Sequence, residues 1–405
     1  MEITYLKDAA FFVFGDNEKV RNTDLPNYIS TENMLPDIDG VVLGGSRPLE
    51  NSSVKRFKSG DILISKIRPY LRKIWLADID GLCSNDVLVL RANSQAISEY
   101  IYYCLITDDF FNYATSTTQG TRMPRCNAAS LLNYPIRLIS DKNVQKDIVA
   151  PLVNLDRKIK LNKAINDNLE AMARQIYEFI CTENKYSAIN QKSFEKGTVS
   201  DIAEQIICGK TPSTKNQAFY GEEIPFITIP DMYNNTYVVS TERSLSILGK
   251  QSQDNKTLQQ NSVCVSCIGT AGLVCLVSKT SQTNQQINSI IPKKGISPYF
   301  IYFTMKSLAL NILSAGSSGS VMPNLSKSKF AELEVKIPDI SEIEHFHSLV
   351  DPMFKKILSV QEENLILQNI KKQLNDLLIN GQVSVNYHLI DNTICATHNL
   401  NFAFC

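Results

Sequence analysis

The stretch Gly60-Asp61-Ile62-Leu63-Ile64-Ser65-Lys66-Ile67 returns as Asn261-Ser262-Val263-Cys264-Val265-Ser266-Cys267-Ile268, position for position, at an offset of 261 − 60 = 201. Each copy alternates apolar and polar residues or reads as a short apolar run, is rich in β-branched residues and follows turn residues, so a strand is expected. Further along, Gly120-Thr121-Arg122-Met123-Pro124-Arg125 returns as Gly319-Ser320-Val321-Met322-Pro323-Asn324, an offset of 319 − 120 = 199. Two blocks recurring in the same order at nearly one offset define an internal repeat. The 405-residue chain therefore reads as two similar halves, in line with a prior of about 150 residues per domain.

Working outward, each half carries the same series. Strands are predicted at Lys73–Ala77 and Leu273–Val277, then at Asp86–Leu90 and Ile287–Ile291. A helix follows at Ser98–Leu105 and Pro298–Leu308, the second with proline in its first turn. Loops rich in Ser, Thr and Gly come next, Thr115–Thr121 and Ser314–Ser320. After each domain runs a helix with an apolar seam in steps of three and four. In the first the seam is Leu155, Ile159, Asn162, Asn166, Leu169, Met172, Ile176 and Phe179. In the second it is Met353, Ile357, Val360, Asn364, Leu367, Ile370, Leu374 and Leu377, each 198 residues on. Pro151 and Pro352 are placed near the helix starts; if the helices begin earlier, a kink is expected.

The fold class is thus α+β: two similar mixed α/β domains separated by two long antiparallel helices, coiled-coil-like, with a pseudo-two-fold internal repeat. Residues 1–143 form domain one, 144–185 the central helix, 186–338 domain two, 339–382 the distal helix, and 383–405 an unassigned tail. A helix of roughly 35 residues spans ~50 Å, the scale of roughly 15 base pairs of B-DNA. Asn162, Asn166 and Asn364 either fix the register from buried positions or point outward at the seam's edge.

Lys plus Arg equals Asp plus Glu at 41 each, so the total hides where charge lies. Val54–Lys73 holds seven basic residues, among them Lys66, Arg68, Arg72 and Lys73, against the single acid Asp61. Ser244–Lys329, which contains Lys279 and Lys327, has eight lysines against Asp254 alone. Two separate basic faces suit neutralisation of DNA phosphates. Beside the loops stand groups that pair with base edges: Gln119, Thr121, Arg122 and Arg125 in the first half, Ser317, Ser318, Ser320 and Asn324 in the second. With no secretory leader, no apolar run near ~18 residues, and ten scattered cysteines, a cytoplasmic protein with reduced thiols is expected, not a membrane one.

With these features in hand, the chain resembles the specificity subunit of type I restriction–modification enzymes over nearly its whole length. The residues carrying the likeness are GDILISKIRPYLRK (60–73), SNDVLVLR (84–91), QGTRMPR (119–125), LDRKIKLNKAINDNLEAMARQIY (155–177), GKTPSTKNQAFYGEEIPFITIPDM (209–232), NQQINSIIP (284–292), GSVMPNLSKSKF (319–330) and KKILSVQEENLILQNIKKQLNDLL (355–378). The resemblance adds Lys210, Thr211, Ser213 and Gln285 to the expected DNA contacts. It implies double-stranded DNA as ligand, two methyltransferase subunits docked on the helices, and restriction/translocase subunits. S-adenosylmethionine, ATP and Mg would sit on those partners, with no cofactor on this chain. No copy of the GKTPS block is visible at the N-terminus, and the last twenty residues do not resemble a helical region.

Catalysis by this chain is not expected. Gly44-Gly45 and Gly269-Thr270-Ala271-Gly272 lack the full dinucleotide or cofactor fingerprint and read as turns. Glu334-Val335-Lys336 ends a strand. Cys264 and Cys267 lack two further ligands, and Cys264 repeats Leu63, so both read as core positions; no metal is expected. His345-x-His347 reads as a helix edge. The alternative to a DNA reader is a non-catalytic scaffold whose duplicated domains bind proteins and touch DNA incidentally.

Overall fold

The computed structural model describes residues 2–14, 17–19, 27–44, 46–48, 50, 52–118, 123–181, 194–310, 312 and 324–383. The chain divides into two compact units, one of Met1–Arg157 with Asn369–Cys405, the other of Lys158–Gln368. The division cuts across both long helices, Lys142–Cys181 and Ile340–Ile379, so each unit owns part of each helix.

In the first unit Glu2–Tyr5 pairs antiparallel with Pro135–Leu138. A short turn of helix, Leu6–Ala9, then leads into Ala10–Phe12. The main sheet runs Ala10–Phe12, Val87–Ala92, Ile62–Ser65, Ile74–Leu76, antiparallel throughout. All four residues of Ile62–Ser65 are buried, as an apolar run flanked by strands on both sides should be. A second sheet orders Asn17–Lys19, Ser53–Phe57, Gly81–Cys83 and Tyr28–Ile29, its last pair parallel. Helices Ser98–Leu105 and Asp108–Ser116 close one core over Ile62, Ile64 and Leu90. Ile148, Val149 and Leu152 of the first long helix join that core, as do Leu378 and Ile379 of the second. The expected loop Thr115–Thr121 begins inside a helix that lasts to Ser116.

The second unit repeats this plan. Phe194–Thr198 pairs with Glu334–Pro338, and Val199–Ile202 leads into Ala203–Cys208. The main sheet runs Ala203–Cys208, Ile287–Pro292, Val263–Ser266, Val274–Val277, with Tyr237–Val238 added in parallel at the edge. A second sheet orders Tyr220–Gly221, Ser244–Leu245, Ile224–Ile227 and Gln282–Thr283, again ending in a parallel pair. Helix Pro298–Ser307 is buried on nearly every side among Tyr177, Phe346 and Phe354; Tyr299 stacks on Phe354 at 4.1 Å. Cys264 and Cys267 are core residues with free thiols.

The repeat reaches the N-terminal edge, where sequence reading found no copy. Asp8 accepts from the Tyr5 amide, and Asp201 from the Thr198 amide, at an offset of 201 − 8 = 193. These bonds, with those from the Thr4 and Thr198 hydroxyls, hold both carboxyls below their ordinary pKa. The second unit thus carries about eight more residues before the offset of 201 sets in. At 193 the GKTPS block falls on 16–20, partly outside the described residues.

Two expectations about the helices need correction. The first helix begins at Lys142 and the second at Ile340, so Pro151 and Pro352 lie inside, not in the first turn; each lacks the N–H that would bond the carbonyl four residues back. The seam also drifts. Leu155, Ile159, Asn162, Leu169 and Ile176 lie wholly or partly buried, as do Met353, Ile357, Val360, Asn364, Leu367 and Leu374. Met172 and Ile370, however, are 50% and 45% exposed. Beyond Leu169 the buried positions are Ala173, Tyr177 and Ile180; beyond Leu367 they are Lys371, Asn375 and Leu378, with Lys371 only partly covered. A straight helix turns every 3.6 residues, so a 3.5-residue seam drifts by ~20° per heptad and leaves the contact face along helices of this length.

Within the second unit the two helix segments run antiparallel through a buried amide pair, Asn162 Nδ2 donating to Asn364 Oδ1 at 2.9 Å and to Glu363 Oε2 at 2.8 Å. Buried hydrogen-bonded asparagines of this kind fix register. Asn166 is half-buried, and its Oδ1 has no partner among the described residues. The pair yields a stability prediction. Asn162→Leu alone leaves the Asn364 carbonyl without its donor and lowers unfolding free energy by about 1–3 kcal/mol; the double Leu change recovers most of that loss. Denaturant titration of the three variants checks it, and additive losses would contradict the pairing.

Candidate nucleic-acid interface

The two repeated motifs, separate in sequence, meet in space at the end of the Ile62–Ser65 strand and at the end of its counterpart Val263–Ser266. In the first unit Ile67 bridges Arg125, the Cys126 amide donates to Lys66 O at 2.8 Å, and the Lys66 amide donates to Asp86 O at 2.7 Å. In the second unit Ile268 bridges Asn324, the Leu325 amide donates to Cys267 O at 3.0 Å, and the Cys267 amide donates to Gln286 O at 2.8 Å. The main chain is the same at both places. The side chains are not: Lys66, Asp86 and Arg125 in one unit answer to Cys267, Gln286 and Asn324 in the other. Asp86 and Gln286 were missed as site residues. The signal was available, since each precedes the strand opening at Val87 or Ile287, 200 residues apart.

In the first unit Arg68 is exposed and Lys66 half-buried; among the described residues neither has a carboxylate within 4 Å. Arg125 is exposed and stands 3.5 Å from Asp86, a weak solvent-facing pair that a phosphate can displace. Asp61, the only acid of the basic run, is removed from the surface by a bidentate pair with Arg91 at 2.7 Å. Arg72 and Lys73 serve the fold instead of facing outward. Arg72 is ion-paired with Asp108 and lies over the Phe111 ring at 5.4 Å. Burial alone would raise the Asp108 carboxyl, but Arg72 and Lys372 beside it hold it below the ordinary value. Lys73 donates to Thr31 O at 2.8 Å, and burial pushes its ammonium pKa down. Gln119, Thr121 and Arg122 lie outside the described residues.

In the second unit the GKTPS block sits against the strand end. The Lys210 amide donates to Thr283 O at 3.0 Å and Thr211 Oγ1 to Gln285 Oε1 at 2.6 Å. Gly209 is obligatory here, because a Cβ would lie 2.1 Å from Asn284 O. Behind the block Gln253 donates to Lys210 O and to Gln282 Oε1, both at 2.8 Å, so the loop rests on a buried amide network. Lys210, Ser213, Gln285, Asn324 and Lys327 are exposed and Thr211 half-buried. Lys279 is not brought to this cluster. It follows the far end of Val274–Val277, away from the turn at Ser266. Ser317, Ser318 and Ser320 lie outside the described residues.

Among the described residues no three His, Cys, Asp or Glu side chains converge as a metal set, and no helix is long and apolar enough to cross a membrane. A family model described as type I restriction modification DNA specificity domain matches residues 22–171 and again 191–378. The HindI type I restriction enzyme specificity subunit of Haemophilus influenzae is 30% identical over 413 residues, covering 83% of this chain and 89% of that one. The MjaIX specificity subunit of Methanocaldococcus jannaschii is 27% identical over 198 residues, 48% of this chain and 46% of its own. In fold, the chain is similar to the S subunit of the type I restriction–modification system from M. genitalium, with a TM-score of 0.51 at 16% identity, covering 93% and 96% of the two chains. The chain belongs to the specificity subunits of type I restriction–modification systems. It is the DNA-recognition component of such a system and not its catalyst.

Arg68 holds φ at 51° and Gly269, its repeat counterpart, at 77°, so the same left-handed turn is built once with a side chain and once without. Arg68→Gly is expected to keep stability within about 1 kcal/mol, because relief of left-handed strain offsets the extra backbone freedom. DNA affinity at one half-site falls. Thermal melting read beside duplex binding tests this, and unchanged affinity would remove Arg68 from the interface.

Proposed function

We propose that each unit reads one half of a bipartite duplex DNA target and leaves the spacer between the halves unread. The observation that carries this is the duplicated strand-end clamp with different polar side chains around it: Lys66, Asp86 and Arg125 in one unit, Gln286 and Asn324 in the other, where the Lys66 position is the buried Cys267. Equal backbones place groups equally. Unlike groups at equal places read unlike sequences, since arginine favours guanine and asparagine or glutamine adenine. The basic surroundings, Lys66 and Arg68 in one unit and Lys210 and Lys327 in the other, supply the phosphate contacts that carry sequence-independent affinity.

The helices are proposed to dock two methyltransferase subunits. Leu161, Ile165 and Met172 are 59%, 40% and 50% exposed, and steps of four and seven put them on one face of the first helix. Such an uncovered apolar stripe suits a protein partner. In this reading S-adenosylmethionine, ATP and Mg belong to the methyltransferase and restriction/translocase subunits, this chain binds none of them, and the complex works in the cytoplasm.

Co-expression with the cognate methyltransferase and mapping of methylated bases tests the reading. A split motif is expected, with Arg125→Ala weakening one half by about tenfold and leaving the other intact. A continuous motif, or duplex binding that ignores salt, would contradict it. For docking, Leu161→Asp with Met172→Asp should weaken methyltransferase capture more than tenfold without lowering the melting temperature. Leu169 and Ile176 do not serve here, because both pack on the core of their unit.

A further inference from the structure

We infer that one exposed tyrosine in each unit, Tyr70 in the first and Tyr233 in the second, contacts the DNA bases and sets part of the recognised sequence. The inference rests on the DNA-reading function proposed above and adds residues to it.

Tyr70 sits in the short turn Pro69–Leu71 directly after the Ile62–Ser65 strand and its clamp, and it is 55% exposed. Tyr100, Tyr103, Phe110 and Phe111 of this unit's main core are buried, and the unit's further exposed aromatics among the described residues, Tyr5, Phe11 and Phe14, belong to the N-terminal strands Glu2–Tyr5 and Ala10–Phe12 or follow them. The turn is rigid. Leu71 and Arg72 amides donate to Arg68 O and Pro69 O at 2.9 and 2.8 Å, and the Arg68 amide donates to Pro124 O at 2.9 Å. Asp37 and Ile38 amides donate to Leu71 O and Arg72 O at 3.0 and 3.1 Å. Arg72 is anchored from below by Asp108 and Phe111. Asp37, Ile38, Arg68 and Arg72 all have left-handed φ, from 51° to 65°, although none is glycine and Ile38 is β-branched. That is four of the six such residues in the described chain, gathered at one tip. Left-handed backbone at non-glycine residues is unfavourable and persists where its surroundings over-determine it, which happens chiefly at functional sites.

The second unit reaches a similar tip by another route. The counterpart turn, Gly269 to Gly272, uses glycine at φ 77° and 91° and has no aromatic of its own. Tyr233 arrives from a separate segment, its hydroxyl bonded to Thr270 Oγ1 at 3.1 Å, and it is 46% exposed. That segment is itself held: the Thr228 amide and hydroxyl donate to Asp231 at 2.8 and 2.7 Å, and Asn234 beside Tyr233 has φ 57°. Different chain segments thus bring one tyrosine to the same turn, beside Arg125 in one unit and Asn324 in the other. A tyrosine held this way loses little freedom on binding. Its ring packs on base edges or a thymine methyl, and its hydroxyl hydrogen-bonds.

The test uses the chain in complex with its methyltransferase and a panel of duplexes varied one base pair at a time. Tyr70→Ala should reduce discrimination about tenfold at one or two positions of one half-site, and Tyr233→Ala should do so in the other half-site. Both variants should melt as the parent does, because both side chains are exposed. Profiles identical to the parent's, or a uniform loss across all duplexes, overturn the inference. If the unaltered complex discriminates at neither half-site, the DNA-reading function fails as well. If it discriminates and the tyrosine variants do not differ from it, only the tyrosine assignment falls.

Discussion

In each unit a main-chain clamp closes the end of a fully buried strand. Lys66 O accepts from Cys126 N while Lys66 N donates to Asp86 O, and Cys267 repeats both bonds with Leu325 and Gln286. These bonds use no side chain, so side-chain identity is free to vary around them. The strand ahead of each clamp is buried at all four positions, three of them apolar and the last a serine, which fixes its position against the core to within the tolerance of close packing. Lys66 and Arg125 in one unit, and Gln286 and Asn324 in the other, therefore sit at the end of a packed sheet. Recognition needs groups placed on a stiff support, and here the support is separable from the specificity.

The long helices follow a different logic. Their contact face is partly polar: Asn162 meets Asn364 in the second unit, and Lys371 meets Asp156 at 2.7 Å in the first. Polar groups on such a face cost stability relative to an apolar seam but disfavour slipped registers, because a slip would leave amides unpaired. The same helices also belong to the domain cores, Tyr177 lying 5.4 Å from Phe303 and Leu152 packing with the first unit's core. They are core elements along part of their length and exposed along Leu161, Ile165 and Met172.

Much of the fold was legible because the repeat is carried by buried strands, where apolar identity and β-branching are required. Ser98–Leu105 was read to its end residues, and the Val263–Ser266 strand followed from its twin. What escaped has physical reasons. The N-terminal copy was hidden because only Asp8 and Asp201 need to match there, at an offset of 193 instead of 201. Met172 and Ile370 misled because a heptad was extended along a straight helix. Arg72 and Lys73 look like phosphate ligands in sequence, yet packing against Phe111 and Thr31 turns both inward. Tyr70 and Tyr233 gave no repeat signal, since different segments supply them. Gln119, Thr121, Arg122, Ser317, Ser318 and Ser320 lie outside the described residues, as does the tail from 384 onward.

The central claim is that two units with one backbone plan make two separate sets of base contacts. Missing-base interference on a duplex carrying the split target, with the chain bound alongside its methyltransferase, measures those contacts directly. Two tracts of interfering positions separated by a silent spacer are predicted. One continuous tract, or interference confined to a single half, would contradict the account.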